Sequence, residues 1–270
     1  MSGTEKAPPG IDPRTPSVAR MYDYYLGGKD NFASDREAAE NIIKLFPNAR
    51  RFARDNRAFL KRAVRLLAAS GITQFIDIGT GLPTQENVHQ VAERAAPEAR
   101  VVYVDNDPIV LVHARALLAD SPRTCVIEGD LRHPKAILDD PRVGGHLDLD
   151  RPFAVILCAI VHFVDDDDEA ASIVSYLRRS LPPGGALVLS HGYKGVVDAD
   201  AVAQAREIYT RTRGTLRLRD RETIAAYFAG LDLVDPGLIH LREWADAEED
   251  LDPAAPGALA GIGLVPRQAG

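Results

Sequence analysis

The chain has 270 residues, 46% of them hydrophobic and 26% charged, with a formal net charge of −7. That length and apolar mass suit one large α/β domain or two small ones. The acidic balance argues against a general nucleic-acid binder, because counterion release needs clustered Lys and Arg.

Residues 1–17 are polar and rich in Pro and Gly, without the apolar core of a signal peptide, and read as a loosely held tail. The longest apolar stretch, 154–164, is too short to span a bilayer and carries His162. A soluble, cytoplasmic protein without a membrane partner is expected. Two helical segments follow the tail, covering 18–70 as a cap ahead of the core at 71–270. The second carries Leu60, Ala63, Val64 and Leu67 at i, i+3, i+4, i+7 and is closed by Gly71.

From Gln74 onward short apolar runs alternate with amphipathic stretches. Strands are predicted at 74–78, 100–104, 124–128, 153–160 and 186–190. The helices between them show apolar stripes at Val88, Val91 and Ala92, at Leu111, Ala114 and Leu118, and at Ala170, Ile173, Val174 and Leu177. Asp107-Pro108 supplies an N-cap followed by a proline at the first helical position. Strands alternating with helices imply a parallel sheet with helices on both faces. Two more helices are predicted near 200–213 and from Asp220. Apolar segments at 231–241 and 258–265 then read as a hairpin around an exposed acidic loop at 244–256. Cys125 and Cys158 lie inside apolar runs and read as buried, reduced thiols with neither disulfide nor metal spacing.

In an open α/β sheet ligands bind beyond the carboxyl ends of the strands, where the order switches. The turn Asp77-Ile78-Gly79-Thr80-Gly81-Leu82-Pro83 occupies that place. Its glycines let the backbone approach a ligand and take positive φ. Asp105 ends the second strand, where a carboxylate can accept both ribose hydroxyls of a nucleoside. Asp130 ends the third, where it can accept from an adenine amino group while Leu131 covers the ring. A dinucleotide site would carry a third glycine where Thr84 stands and would aim its turn at pyrophosphate. With no Lys or Arg in the turn and with Asp77 and Asp105 nearby, the positive sulfonium of S-adenosylmethionine suits the site better.

The series Phe75-Ile76-Asp77-Ile78-Gly79-Thr80-Gly81, Tyr103-Val104-Asp105, Glu128-Gly129-Asp130-Leu131 and Leu181-Pro182-Pro183-Gly184-Gly185 resembles the Rossmann-like, class I S-adenosylmethionine-dependent methyltransferases. More narrowly, the segment from Ala19 to Phe32, with its Tyr-Asp-Tyr-Tyr-Leu-Gly-Gly-Lys core, together with Asn56-Arg57 and Gly79-Thr80-Gly81-Leu82-Pro83-Thr84, is similar to the actinobacterial S-adenosyl methyltransferases of the DUF574 family. The resemblance implies an α/β three-layer sandwich with a seven-stranded, mostly parallel sheet whose last strand is antiparallel. It implies S-adenosylmethionine as cofactor, S-adenosylhomocysteine as product, and Gly79, Asp105, Asp130 and Leu131 in contact with it. It does not supply the methyl acceptor.

The full expected cofactor set is Arg57, Asp77, Gly79, Thr80, Gly81, Asp105, Asn106, Asp130, Leu131, Ala159 and Tyr25. Arg57 would pair with the methionine carboxylate as a fork-shaped donor. Tyr22 and Tyr25 suggest a lid, one ring facing the sulfonium; an aromatic helix packed on the domain fits as well. His162, after the fourth strand, is the residue placed to act as general base, with Tyr22 as a second catalytic candidate. Methyl transfer is an in-line displacement on an activated carbon, so positioning can supply most of the acceleration and a base is optional. The acid run 165–169 reads as a helix start complementing the dipole, not a metal site, and His191 as structural. No metal is expected. Three readings stay open: a methyltransferase acting on a small molecule, a non-catalytic S-adenosylmethionine sensor, and an NAD-dependent oxidoreductase.

Overall fold

Five parallel strands divide their side chains between two apolar cores. They are β1 (Gln74–Ile78), β2 (Arg100–Asp105), β3 (Thr124–Glu128), β4 (Ala154–Cys158) and β5 (Ala186–Tyr193). Phe75, Val101, Tyr103, Ala154, Ile156, Ala186 and Val188 enter one core, while Ile76, Val102, Val104, Val155, Leu157, Leu187 and Leu189 enter the other. A period of two on strands buried on both faces produces this split and explains the unbroken apolar runs. The computed structural model describes residues 11–83, 86–118, 121–195, 197–212, 214–244 and 257–267.

The helices are α1 (Val18–Tyr25), α2 (Ala33–Leu45), α3 (Ala49–Ala69), α4 (Val88–Ala95), α5 (Pro108–Leu118), α6 (Pro134–Leu138), α7 (Pro141–His146), α8 (Asp167–Arg179), α9 (Ala199–Thr210), α10 (Arg221–Ala226) and α11 (Leu241–Trp244). Three short strands complete the sheet: β6 (Asp232–Leu233), β7 (Ile239–His240) and the longer β8 (Gly257–Leu264). The order is β3-β2-β1-β4-β5-β8-β6, with β7 also pairing β8. β8 runs antiparallel to β5. α3, α4 and α11 cover the first core, and α6, α7, α8 and α10 cover the second. A third cluster joins Met21, Tyr25, Ile42 and Phe46 of the N-terminal helices and their connection to Ala205 and Tyr209 of α9. The cap is therefore fastened to a helix from the far end of the chain. Among the described residues no helix is long and apolar enough to cross a membrane.

Several expected boundaries shift. The strand expected at 153–160 ends at Cys158, because Ala159 turns into the left-handed region at φ 56. β5 extends to Tyr193 because β8 pairs with it over eight residues. The segment 231–241 splits into β6 and β7 around Asp235-Pro236-Gly237, with Gly237 at φ 92, so the sheet has eight strands instead of seven. Both cysteines are half-buried rather than fully buried: Cys125 lies on the edge strand β3, and Cys158 faces the cleft at the end of β4. Residues 11–17 of the expected tail are placed. Ser17 N–H donates to Asp35 at 2.8 Å, its hydroxyl bonds Asp107, and Ile11 packs on the group formed by Leu82, Ile109 and Val110. Residues 1–10, Thr84 and most of the expected acidic loop lie outside the described residues.

Candidate active site

β1 meets β2 on one side and β4 on the other, so the chain order switches at its carboxyl end. The glycine turn is anchored there. Gly79 N–H donates to the Val104 carbonyl at 2.8 Å, and the Thr80 hydroxyl donates to the Asp77 carbonyl at 2.9 Å. Gly79 has φ 75, and a Cβ on it would stand 2.6 Å from Ile160 Cγ1. Gly81 has φ 67 with open space where its Cβ would be. One glycine is thus required by packing, whereas the other borders empty room.

Asp105 clamps this turn to β2. Its Oδ2 accepts from Gly81 N–H and its Oδ1 from Asp107 N–H, each at 2.9 Å. Burial pushes its carboxyl up to about 6 despite those donors. Asp107 accepts from Ile109 N–H at 3.0 Å, the N-cap expected from sequence. Asp130 is held differently. Burial raises its pKa, but the Arg132 guanidinium and backbone N–H outweigh that and keep it below the usual carboxylate range. Asn106 Nδ2 reaches the same carboxylate at 3.4 Å. Leu131 is buried in the cleft wall beside it.

Asp77, the strand residue below the turn, is 5% exposed. Burial pushes its carboxyl up to about 7, with Arg57 opposing and Asp105 reinforcing the shift. Arg57 reaches over from α3 and donates one guanidinium N–H to the Glu86 carbonyl at 3.1 Å. Its Nε is buried and finds no partner among the described residues. A charged donor with an unused N–H beside a buried carboxyl is costly unless a ligand engages both.

Tyr22 is committed elsewhere. Its hydroxyl donates to the Ala53 carbonyl at 3.1 Å and accepts from Asn56 Nδ2 at 2.9 Å. The Asn56 oxygen accepts from the Ser190 hydroxyl at 2.6 Å, and that hydroxyl accepts from Ala159 N–H at 2.9 Å. This relay joins α1, α3, β5 and the left-handed residue after β4. Burial holds the Tyr22 hydroxyl protonated, with its pKa pushed up to about 12. Tyr25 belongs to the apolar cluster of Met21, Ile42, Phe46 and Tyr209, and its buried hydroxyl finds no hydrogen-bond partner among the described residues.

His162 sits in a 3-10 turn, 5% exposed, with Phe163 and His191 ring centroids at 4.4 and 5.5 Å. Burial drives its pKa well below 6.5, so the imidazole is neutral. Gly192 N–H donates to Nδ1 at 3.3 Å, which leaves the proton on Nε2. In this arrangement His162 offers a donor. Beneath it, His191 Nε2 accepts from Arg219 at 3.0 Å. Arg219, 3% exposed, also bonds Asp167 and the Val161 and Val164 carbonyls. The acid run accordingly divides its work: Asp166 caps α8 through Glu169 N–H, Asp165 pairs with Arg206, and Asp167 pairs with Arg217 and Arg219.

One cavity of about 610 Å³ gathers the glycine turn, Asp77, Asp105, Asn106, Asp130, Leu131, Arg57, Ala159, His162, Tyr22 and Tyr25. Asn56, Phe52, Tyr209, residues 11–12 and residues 15–20 also line it. Phe52 and Tyr209 carry no local motif, and their role emerges only where the cap meets α9 and the sheet edge.

A doubly covered sheet with order 3-2-1-4-5, an antiparallel C-terminal strand and a carboxylate-lined cleft at the switch point defines a Rossmann-like methyltransferase. The family model described as S-adenosyl methyltransferase matches residues 4–267, and the chain belongs to that family, whose members use S-adenosylmethionine as methyl donor. A candidate methyltransferase from Thermobifida fusca YX is 39% identical, with a TM-score of 0.88 over 96% of this chain and 98% of its own. A DUF574 family protein from Streptomyces avermitilis MA-4680 is also 39% identical, with a TM-score of 0.86 over 93% of this chain and 98% of its own. An O-methyltransferase family protein from Burkholderia thailandensis, 16% identical, shares the fold at a TM-score of 0.51 over 82% of this chain and 61% of its own. No curated protein matches the chain.

Proposed function

We propose that the cleft binds S-adenosylmethionine with Arg57 and Asp77 at its methionine end, Asp105 at its ribose, and Asp130, Asn106 and Leu131 around its adenine, and that the methyl acceptor is a small molecule. The observation that carries the reading is the Arg57–Asp77 couple. A half-buried guanidinium whose Nε is buried and unsatisfied lies beside a carboxyl destabilised by burial. The carboxylate and ammonium of an amino acid supply the two missing partners.

When bound, S-adenosylmethionine presents a methyl group already activated by a sulfonium. The protein's share is to bind, orient and exclude water. Gly81 leaves room for close backbone approach, Gly79 seats Ile160 against the turn, and the Tyr22–Asn56–Ser190–Ala159 relay fixes the floor between cofactor and acceptor. His162, neutral and protonated on Nε2, is a hydrogen-bond donor for an acceptor heteroatom. Residues 11–12 and 15–20 help line a cavity of about 610 Å³, a size that suits a small ligand pair.

Titration calorimetry with S-adenosylhomocysteine tests the assignment. Wild-type protein should bind it, and Arg57→Gln and Asp77→Asn should each weaken binding at least about tenfold, or about 1.4 kcal/mol. Undiminished affinity in both variants would place the methionine end elsewhere.

A further inference from the structure

We infer that the acceptor is an uncharged aromatic small molecule, held between the N-terminal helices and the ends of β4 and β5. The inference rests on the cofactor assignment above, which sets where the methyl group is delivered.

The cleft wall is sharply partitioned. Its charged side chains come from residues 11–20, from Arg57, and from the ends of the first three strands at Asp77, Asp105, Asp107, Asp130 and Arg132. Arg20 is not available to a ligand, since Asp35 takes its Nε at 2.7 Å in a fully buried pair. The rest of the wall, built from Tyr22 and Tyr25 of α1, the lining residues between 42 and 56, the turn after β4, Tyr209 of α9 and the lining residues between 214 and 218 that follow it, carries no Asp, Glu, Lys or Arg among the described residues.

What that wall carries instead is rings. Tyr25, Phe46, Phe52, Phe163 and Tyr209 line it around neutral His162, with Leu216 beside them. Phe163 lies 5.6 Å from Tyr209 and Phe52 6.4 Å from His162, centroid to centroid. Such a wall rewards an aromatic guest through edge and face contacts. It penalises a carboxylate, phosphate or ammonium, which would leave water without a countercharge. Polar side chains on this side are neutral: the Tyr22, Tyr25 and Tyr209 hydroxyls, the Asn48 and Asn56 amides, the Cys158 thiol and the imidazole of His162, with the buried Tyr25 hydroxyl lacking a partner among the described residues. These can orient one hydroxyl, carbonyl or ring nitrogen but cannot neutralise an ion.

The test uses the full chain saturated with S-adenosylhomocysteine and two fluorescent probes of one ring system, naphthol and its carboxylated analogue hydroxynaphthoate, in equilibrium dialysis. Naphthol should bind at least about tenfold more tightly than hydroxynaphthoate. Leu216→Glu should abolish that preference through loss of naphthol binding, and Tyr209→Phe, which keeps the ring, should retain most of it. Each variant is first titrated with S-adenosylhomocysteine, so a misfolded protein is recognised and replaced by the other. Equal or tighter binding of the carboxylate, or no binding of either probe to cofactor-loaded wild type, overturns the acceptor inference while the cofactor assignment stands. Failure of S-adenosylhomocysteine itself to bind brings down the cofactor assignment instead.

Discussion

The hydroxyl of Ser190 in β5 donates to the side-chain oxygen of Asn56 in α3 at 2.6 Å, across 134 residues of sequence. Both residues are almost completely buried, at 0% and 3% exposure. The bond is one link of a continuous chain: Ala159 N–H to the Ser190 hydroxyl, Ser190 to Asn56, Asn56 to Tyr22, and Tyr22 to the Ala53 carbonyl. The helical cap is thereby coupled to the edge where β4 and β5 end.

Replacing Asn56 with Ala removes an acceptor and a donor from that chain and leaves two buried hydroxyls short of partners. The expected loss of folding stability is about 2–4 kcal/mol. Ser190→Ala should cost less, about 1–2 kcal/mol, because Ala159 N–H keeps the Ser190 carbonyl at 3.1 Å. Urea denaturation followed by circular dichroism measures both. Wild-type stability in Asn56→Ala would mean that the relay holds nothing together.

Asp77 predicts an opposition between stability and binding. Its folded pKa is about 7 against the ordinary carboxylate value of 3.8. The folded protein therefore retains a proton that the unfolded chain gives up between those values. By linkage, this site's contribution to stability is present below about pH 4, falls as pH rises to about 7, and is flat above. Asp77→Asn cannot ionise, so the ligand-free variant should be more stable than wild type at pH 8, by something on the order of 2 kcal/mol. It should gain little at pH 4. The same substitution should impair S-adenosylhomocysteine binding. Identical pH dependence of unfolding in the two proteins would show that Asp77 is not the strained group.

Much of this molecule is legible in its sequence wherever the signal is local. The two-residue period of β1 to β5, the glycines of the first turn and the Asp107-Pro108 helix start are set by neighbours a few positions away, and they appear as expected. Signals that depend on distant partners are not legible in this way. Ser190 looks like an ordinary strand residue until Asn56 arrives from α3. Arg219 looks like one arginine among several until Asp167 and His191 enclose it. Ile11 is a lone apolar residue in a polar tail, without periodicity to announce that it packs beside Leu82 and Ile109. The apolar run through Ile160 conceals the end of β4, since hydrophobicity does not report that Ala159 turns left-handed. Asp235-Pro236-Gly237, by contrast, is a turn signal strong enough to have split 231–241 in advance.

Asp105 makes cofactor affinity dependent on pH. Only its ionised form can accept both ribose hydroxyls, and burial sets that ionisation at about 6. Affinity for S-adenosylhomocysteine should begin to fall as Asp77 takes up its proton near pH 7, and as pH drops through 6 Asp105 should add a second fall of its own, approaching about tenfold per unit. Asp105→Ala should bind about 1.5–3 kcal/mol more weakly at pH 8, through loss of charge-assisted hydrogen bonds, and should lose this second fall. Calorimetry between pH 5 and 8 reads both effects. An acid limb as steep in the variant as in wild type would assign the whole of it to Asp77.

The two glycines of the first turn should respond differently to the same substitution. A methyl group on Gly79 would lie 2.6 Å from Ile160 Cγ1 and 3.0 Å from its Cβ, so the turn or β4's exit must move. At φ 75 the new side chain also carries left-handed strain, costing about 1–2 kcal/mol by itself. Gly79→Ala should therefore lose more stability than that strain alone. Gly81 sits at φ 67 with nothing within 4 Å of the added carbon, so Gly81→Ala should pay only the backbone term. The space that the methyl would occupy belongs to the cleft wall, where close approach of a ligand is expected. Gly81→Ala should thus be the more stable of the two and yet bind S-adenosylhomocysteine at least about tenfold more weakly than wild type. Thermal denaturation without ligand, paired with calorimetry, separates these effects. Full affinity in Gly81→Ala would show that the ligand does not pass over this turn.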